Sequence, residues 1–311
     1  MATAGGGTSV LAFSSSLLAQ DAVNGLFLGA IFALLGIGVV LIYKSSGVLN
    51  FAHGSMAMFC TYIYFQLDRS FHLPVGVSML IAVASGVVLG ALTYLAIFRR
   101  MRNAGLLAKV IGALAVAGFL QGAAAFLWRN ATQAKPPMQF SQHVVHIGSV
   151  GLDWQHIGTI LITIAAGAGV IALVKWTTFG IALRATAQNR MAAKLLGVKE
   201  DRVAALSWGL GGGLAALAGV LIIPTSILTV YSMTGYMVRG FVAAVVGGFV
   251  SLPAALIGGF GLGVAQESLL ATPIQSLSSI FAGLLIAALL LLRVERFFAL
   301  EQELRALEEL G

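Results

Sequence analysis

Charge is scarce in this sequence. Of its 311 residues only 9% are Asp, Glu, Lys or Arg, against about 25% in an ordinary soluble domain. Hydrophobic residues make up 59% and the mean hydropathy is +0.97. That is more apolar surface than a water-facing exterior tolerates, so a soluble fold is excluded and lipid is left as the solvent. Cysteine is nearly absent: a single Cys60 rules out an intramolecular disulfide and says nothing of redox compartment. Enzyme motifs are missing as well. There is no GxxxxGK[ST] phosphate loop, no HExxH, no GxSxG and no Cys/His cluster at metal spacing, which leaves no catalytic residue, metal site or cofactor to assign to the chain. The first 20 residues lack the basic region of a signal peptide and read as a retained tail, 1–20.

What is present is a series of continuous apolar runs. An outer-membrane barrel would place a polar residue at about every second position, so the spans are read as helices. Runs near the length of about 20 residues that a bilayer needs occur at 22–43, 51–67, 73–98, 107–128, 155–174, 203–223, 240–264 and 273–292. The net charge of +7 is gathered between them rather than spread as a nucleic-acid surface would require. Arg99, Arg100, Arg102 and Lys109 form one cluster; the segment 175–202 holds Lys175, Arg184, Arg190, Lys194, Lys199 and Arg202; the tail 293–311 holds Arg293, Arg296 and Arg305. Basic loops of a helical membrane protein are cytoplasmic, so all three are expected there, and the sparsely charged loop around Pro136 is expected outside.

A cytoplasmic tail needs one more crossing than the eight runs supply. Gly247, Gly248 and Pro253 interrupt any helix drawn through 240–264, so this run is read as two elements, one before Gly248 and one after Leu252, broken at membrane depth. The polar stretch KSSGVLNFAHGS from Lys44 predicts a second break. The fold is therefore expected to be an all-α polytopic membrane protein, a single domain over 1–311 with about 8–10 transmembrane or broken helices. Interrupted segments in corresponding places of two halves point to an inverted-repeat transporter with a midplane pathway.

Two constellations carry the chemistry. Asn50 and His53, three apart, would share one face of a helix starting near them, and a polar pair in apolar surroundings must meet either other helices or a solute in a wet cavity. The structural alternative is that Asn50 caps the broken helix and His53 bonds a backbone carbonyl. Within 175–202, a short helix over 188–196 would end at Gly197 as a left-handed cap, with Met191, Leu195 and Leu196 forming an apolar side among basic residues. Such a helix lies on lipid headgroups or docks into a groove of a partner. Glu267 is expected at the membrane interface. The pairs Gly25/Gly29, Gly209/Gly213 and Gly259/Gly263 are expected in helix packing, and Trp128, Trp154 and Trp176 as interfacial anchors.

Three long stretches, in order, resemble the branched-chain amino acid permease family of ATP-binding-cassette importers, in particular the shorter of its two paralogous subunits. They are GLFLGAIFALLGIGVVLIYKSSGVLNFAHGSMAM, GIALRATAQNRMAAKLLGVKEDRVAALSWGLGGGLAALAGVL and FVAAVVGGFVSLPAALIGGFGLG. The resemblance implies that 175–202 is a cytoplasmic coupling loop, with Arg190, Met191, Ala192, Ala193, Leu195, Leu196 and Gly197 touching the ATPase. It implies a substrate pathway near Asn50, Phe51, His53, Gly54, Gly247 and Gly248. The implied function is a permease subunit in the bacterial inner membrane, carrying leucine, isoleucine and valine delivered by an extracytoplasmic binding protein. Its implied partners are a second permease paralogue and two cytoplasmic ATPase subunits that hold ATP and Mg; nucleic acid is not among them. Relatives of this kind also carry urea or short amides. An ion-coupled secondary transporter is the alternative from another class, but it needs ionisable sites at depth and the spans offer few beyond His53 and Glu267.

Overall fold

The computed structural model of the chain describes residues 15–129, 138–140, 144–147, 150–270 and 285. The predicted span 273–292, apart from Leu285, and the tail 293–311 lie outside the described residues. Ten α-helices are described: α1 (Ser15–Ser46), α2 (His53–Phe71), α3 (Val75–Thr93), α4 (Leu106–Leu127), α5 (Trp154–Trp176), α6 (Thr178–Gln188), α7 (Arg190–Leu195), α8 (Glu200–Ile222), α9 (Thr234–Val246) and α10 (Leu252–Leu270). A π-helical turn, Tyr94–Phe98, prolongs α3, and one antiparallel hairpin, β1 (Val144–Ile147) with β2 (Val150–Asp153), precedes α5. Helices dominate because a chain in lipid must satisfy each backbone polar group internally. Among the described residues five stretches are long and apolar enough to cross a membrane: Ala19–Ser46, Val75–Phe98, Leu106–Leu127, Trp154–Trp176 and Glu200–Thr225. Helix α1 already begins at Ser15, inside the segment read from the sequence as a tail.

Helices α1 and α8 form the centre, buried along most of their length, and cross antiparallel where a β-carbon on Gly211 would stand 3.1 Å from the Gly38 carbonyl oxygen. The other helices are arranged around this pair with two-fold regularity. Helix α10 packs along α1 and α3 packs along α8; α9 lies on α1 and α2 on α8; α2 adjoins α3 and α9 adjoins α10. The units α1–α2–α3 and α8–α9–α10 therefore correspond with opposite direction across the bundle, an inverted arrangement, although one of the two interruptions from which it was expected lies elsewhere.

The structure moves one of the predicted breaks. His53, the first residue of α2, sits against Gly38, eight residues and about 12 Å back from the end of α1. Residues 47–52 thus turn back into the bundle before α2 starts. In the second half the matching return is made by residues 226–233, and α9, only 13 residues long, begins beside Gly54 of α2, whose β-carbon would meet Met237 Cβ at 2.9 Å. Gly247 and Gly248 lie at the other end of α9. They form a tight turn in which Gly248 has φ +62°, and Ser251 N–H donates to the Gly247 carbonyl at 3.0 Å. Lys44 Nζ donates to the Val250 carbonyl at 2.9 Å, and Tyr43 packs on Phe249 with ring centroids 5.1 Å apart. The glycine pair is therefore level with the end of α1, not with His53. A Gly-Gly pair marks where a chain turns but not how deep.

The end of α1 shares its face of the molecule with the basic loops. Arg190 donates to the Ser45 carbonyl at 3.1 Å. The 98–105 loop is tied to the start of α8 by Arg99 Nε on Asp201 Oδ2 at 3.1 Å, by Arg102 on the same carboxylate and, at 3.9 Å, on Glu200. At the opposite face Gln20 bonds Gly151 of the hairpin. There Gln155 Nε2 donates to Gln139 Oε1 at 2.8 Å and to the Leu221 carbonyl at 3.1 Å, while Gln139 Nε2 reaches the Val220 carbonyl at 2.8 Å.

Candidate solute pathway and coupling surface

The two shortened helices bring their first turns together inside the bundle, and helix N-termini present unpaired N–H groups and partial positive charge. Asn50 is not on the helix as expected. It lies in the 47–52 return, fully buried, where its Oδ1 accepts the Ala52 N–H at 3.0 Å and its Nδ2 meets Met56 Sδ at 3.7 Å. This is close to the capping role that the sequence left open. Phe51 packs against Phe241 of α9 with centroids 5.1 Å apart, and Gly54 allows the approach of Met233 and Met237. His53 is also fully buried, yet neither ring nitrogen has a hydrogen-bond partner among the described residues; the expected carbonyl is absent. The structure thus sets Phe51 and Gly54 against α9, with Asn50 beside them in the return and His53 turned to Gly38 of α1, and places Gly247 and Gly248 at the far end of α9.

Three polar features were missed from the sequence. Gln155, Thr159 and Thr163 recur every fourth residue on the buried face of α5, and both threonine hydroxyls lack partners among the described residues. The spacing itself was the available signal. Arg239 on α9 is an arginine within an apolar helix. Its Nε donates to Gln266 Oε1 at 2.6 Å, and the guanidinium stands 5.9 Å from the Phe32 ring. An isolated charge in an apolar run is informative by default. The tie between Arg102 and Asp201 joins positions 99 residues apart, and nothing in the local sequence pairs them. Glu267 is half-buried in the last turn of α10, as expected of an interfacial acid. Of the tryptophans, Trp154 and Trp176 are exposed at the ends of α5, whereas Trp128 is packed inside, stacked on Tyr62 at 5.1 Å and donating to Gln66 Oε1 at 3.1 Å.

The predicted coupling helix is shorter than expected. Gln188 ends α6, and Asn189 breaks the chain because its side chain accepts the Ala192 N–H at 2.9 Å and caps a new helix, α7. The other end matches the expectation. Gly197 has φ +83°, with Val198 N–H bonded to the Ala193 carbonyl and Gly197 N–H to the Lys194 carbonyl, both at 3.0 Å, the pair of bonds that closes a helix at a left-handed residue. Capped at both ends, the six-residue helix turns Ala193 inward, 2% exposed, and holds Met191, Leu195 and its C-cap residue Leu196 outward at 70%, 83% and 84%.

The family model described as "Branched-chain amino acid transport system / permease component" matches residues 22–290. The chain is 31% identical over 261 residues to the High-affinity branched-chain amino acid transport system permease protein LivH of Salmonella typhimurium, covering 79% of this chain and 84% of that protein. It is 30% identical over 260 residues to the corresponding protein BraD of Pseudomonas aeruginosa, with the same coverage. It is 29% identical over 239 residues to the Autoinducer 2 import system permease protein LsrC of Photorhabdus luminescens, covering 74% of this chain and 65% of that one. No solved structure matches the chain. The matched stretch runs through every described helix from α1 to α10, including the paired half-helices and the capped α7, and on this ground the chain is a multi-pass membrane protein that belongs to the branched-chain amino acid transport system permease family.

Proposed function

We propose that the chain is one permease subunit of an ATP-driven importer for leucine, isoleucine and valine, acting in the bacterial inner membrane with a second permease subunit, two ATPase subunits and an extracytoplasmic binding protein. The observation that carries this reading is α7. Three large apolar side chains held out from a six-residue helix are an unfavourable surface in water unless something covers them, and both helix ends are built to keep them presented. Among basic side chains at the basic face, which is cytoplasmic by charge, they fit a groove on an ATPase. Movement of that subunit would reach the end of α1 through Arg190 and Ser45, and from there Asn50, Phe51, His53 and Gly54 at the meeting of α2 with α9. The Gly247–Gly248 turn serves as the hinge at the cytoplasmic end of α9. The solute follows the names of LivH and BraD; the LsrC match keeps a different small solute as the second reading.

Replacing Leu196 by Asp in the intact transporter tests the coupling assignment. Buried central contacts dominate an interface while rim charges contribute little, so the variant is expected to reach the membrane in normal amounts, lose the ATPase on purification and lose ATP-driven leucine uptake at least tenfold. Lys194→Glu should be milder. Normal retention and uptake in Leu196→Asp, or a larger loss in Lys194→Glu, would return α7 to the lipid surface. Uptake of labelled leucine against labelled urea by the same vesicles separates the solute classes.

A further inference from the structure

At the basic face a cavity of about 630 Å³ opens between the end of α1, the start of α4, α6 with the Gln188–Arg190 junction, and the turn after α9. Lys44, Lys109, Arg184 and Arg190 all line it, and among the described residues no Asp or Glu does. Elsewhere on this face Arg99 and Arg102 are paired with Asp201 and Glu200, whereas none of the four cavity cations has an ion pair among the described residues. Three of the four cavity cations hold backbone carbonyls at chain ends. Lys44 donates to Val250, Arg190 to Ser45 and Arg184 to Val174. The Ser45 and Val174 carbonyls are in the last turns of α1 and α5 and that of Val250 is in the turn after α9, but each carbonyl carries only a partial charge and a guanidinium has four further donors. Lys109 has no hydrogen-bonded side-chain partner among the described residues. Four like charges around one concavity, with no counter-charge among the described residues of its lining, repel one another, and the repulsion is relieved by an anion with several acceptor oxygens. Ser46 and Thr186 also line it, but their hydroxyls donate to the Ile42 and Ala182 carbonyls, so an anion is left to the cations; the Tyr43–Phe249 pair adds an apolar wall.

We propose that this cavity binds a phosphate group, presented either by the headgroup of an anionic phospholipid or as free inorganic phosphate. Basic pockets at the cytoplasmic ends of transmembrane helices suit such headgroups. Because Arg190 is the first residue of α7, an occupied cavity holds the coupling helix against the end of α1. The inference stands on the lining charges alone and does not depend on what the transporter carries.

The test uses the purified full chain, delipidated in neutral detergent, with phosphatidylglycerol, phosphatidylcholine and inorganic phosphate as separate probes. Native mass spectrometry reads lipid retention, and thermal melting reads the effect of phosphate. Wild type is expected to retain phosphatidylglycerol at least tenfold more strongly than phosphatidylcholine. Lys44→Gln/Lys109→Gln should abolish that preference, and Lys175→Gln, outside the cavity, should leave it unchanged. Lys109→Gln alone removes no side-chain hydrogen bond among the described residues, so its folding is secure, and it should weaken retention about threefold. If millimolar phosphate stabilises the wild type without any lipid preference, and the double variant loses that stabilisation, free phosphate is the ligand. Unchanged lipid preference and unchanged phosphate response in both variants overturn the proposal. So does a double variant that keeps both responses but loses the ATPase from the intact transporter, since the cations would then serve a carboxylate of that partner.

Discussion

An imidazole enclosed by α1, α2 and α8 with both nitrogens unpartnered among the described residues carries a cost of about 1–3 kcal/mol for each unmet group. If the transport cycle lets water or solute reach this site between α1, α2 and α8, that cost is removed there and His53 shifts the balance towards that state. His53→Met, of similar size and without the polar atoms, is expected to leave the melting temperature of the solubilised chain unchanged or higher while uptake falls about tenfold. A clear drop in melting temperature would instead make His53 a packing residue. Gly197 gives a second case. Val at φ +83° is a strained conformation that costs about 1–2 kcal/mol, whereas Asn tolerates the left-handed region. Gly197→Val should therefore lose ATPase retention and Gly197→Asn should keep most of it, with equal amounts of both in the membrane. Equal behaviour of the two would remove the cap from the argument. Gly197 was legible from sequence because a glycine after a short amphipathic stretch has one common use. The state of His53 was not, since whether a polar group finds a partner depends on residues such as Gly38, 15 positions away.

Helix pairs in lipid gain little from hydrophobic burial and associate through close packing, for which small residues are needed. Along α1 and α10 the pairs Gly25/Gly29 and Gly259/Gly263 face one another, and a β-carbon on Gly263 would collide with the Gly25 carbonyl oxygen. Along α3 and α8 the equivalent contact is Gly90, whose β-carbon would collide with the Trp208 carbonyl oxygen. Gly263→Leu should therefore separate α1 from α10 and cut the amount of folded chain in the membrane at least fivefold. Gly118→Leu on α4, where nothing lies within 4 Å, should have almost no effect. Comparable accumulation of the two variants would show that the α1–α10 contact is not close. The spacing of these glycines identified them as packing residues, but a repeat of four names a face and not its partner. In the same way Asn189 carried the signal of a cap, yet the neighbouring apolar pattern runs on through it and drew the helix two residues too long at its start. The Gly247–Gly248 turn was legible as a break, while its depth followed only from Lys44 and Tyr43 meeting Val250 and Phe249.

For the molecule as a whole, the inverted correspondence of α1–α2–α3 with α8–α9–α10 sets which ends of the chain share a face. The first 43 residues contain neither Lys nor Arg, so charge counting gave no direction for α1. The structure supplies one: α1 ends at Arg190 and begins beside the hairpin, so its N-terminal end faces away from the basic loops. If those loops are cytoplasmic, the hairpin and the start of α1 are external, and the Gly247–Val250 turn is cytoplasmic. Cys60 is buried and its replacement by Ala gives a background for introducing single thiols. Val144 and Val250 are 49% and 63% exposed, and Arg100 is exposed on the basic loop. An impermeant thiol reagent applied to intact cells should label Val144→Cys and leave Arg100→Cys and Val250→Cys unlabelled until the membrane is opened. The Val250 position discriminates most sharply, because a turn at depth along an outward-opening pathway would admit the reagent from outside and a turn level with Lys44 would not. External labelling of Val250→Cys with Arg100→Cys still protected would place the turn back within the pathway, while external labelling of both would invert the whole molecule in the membrane.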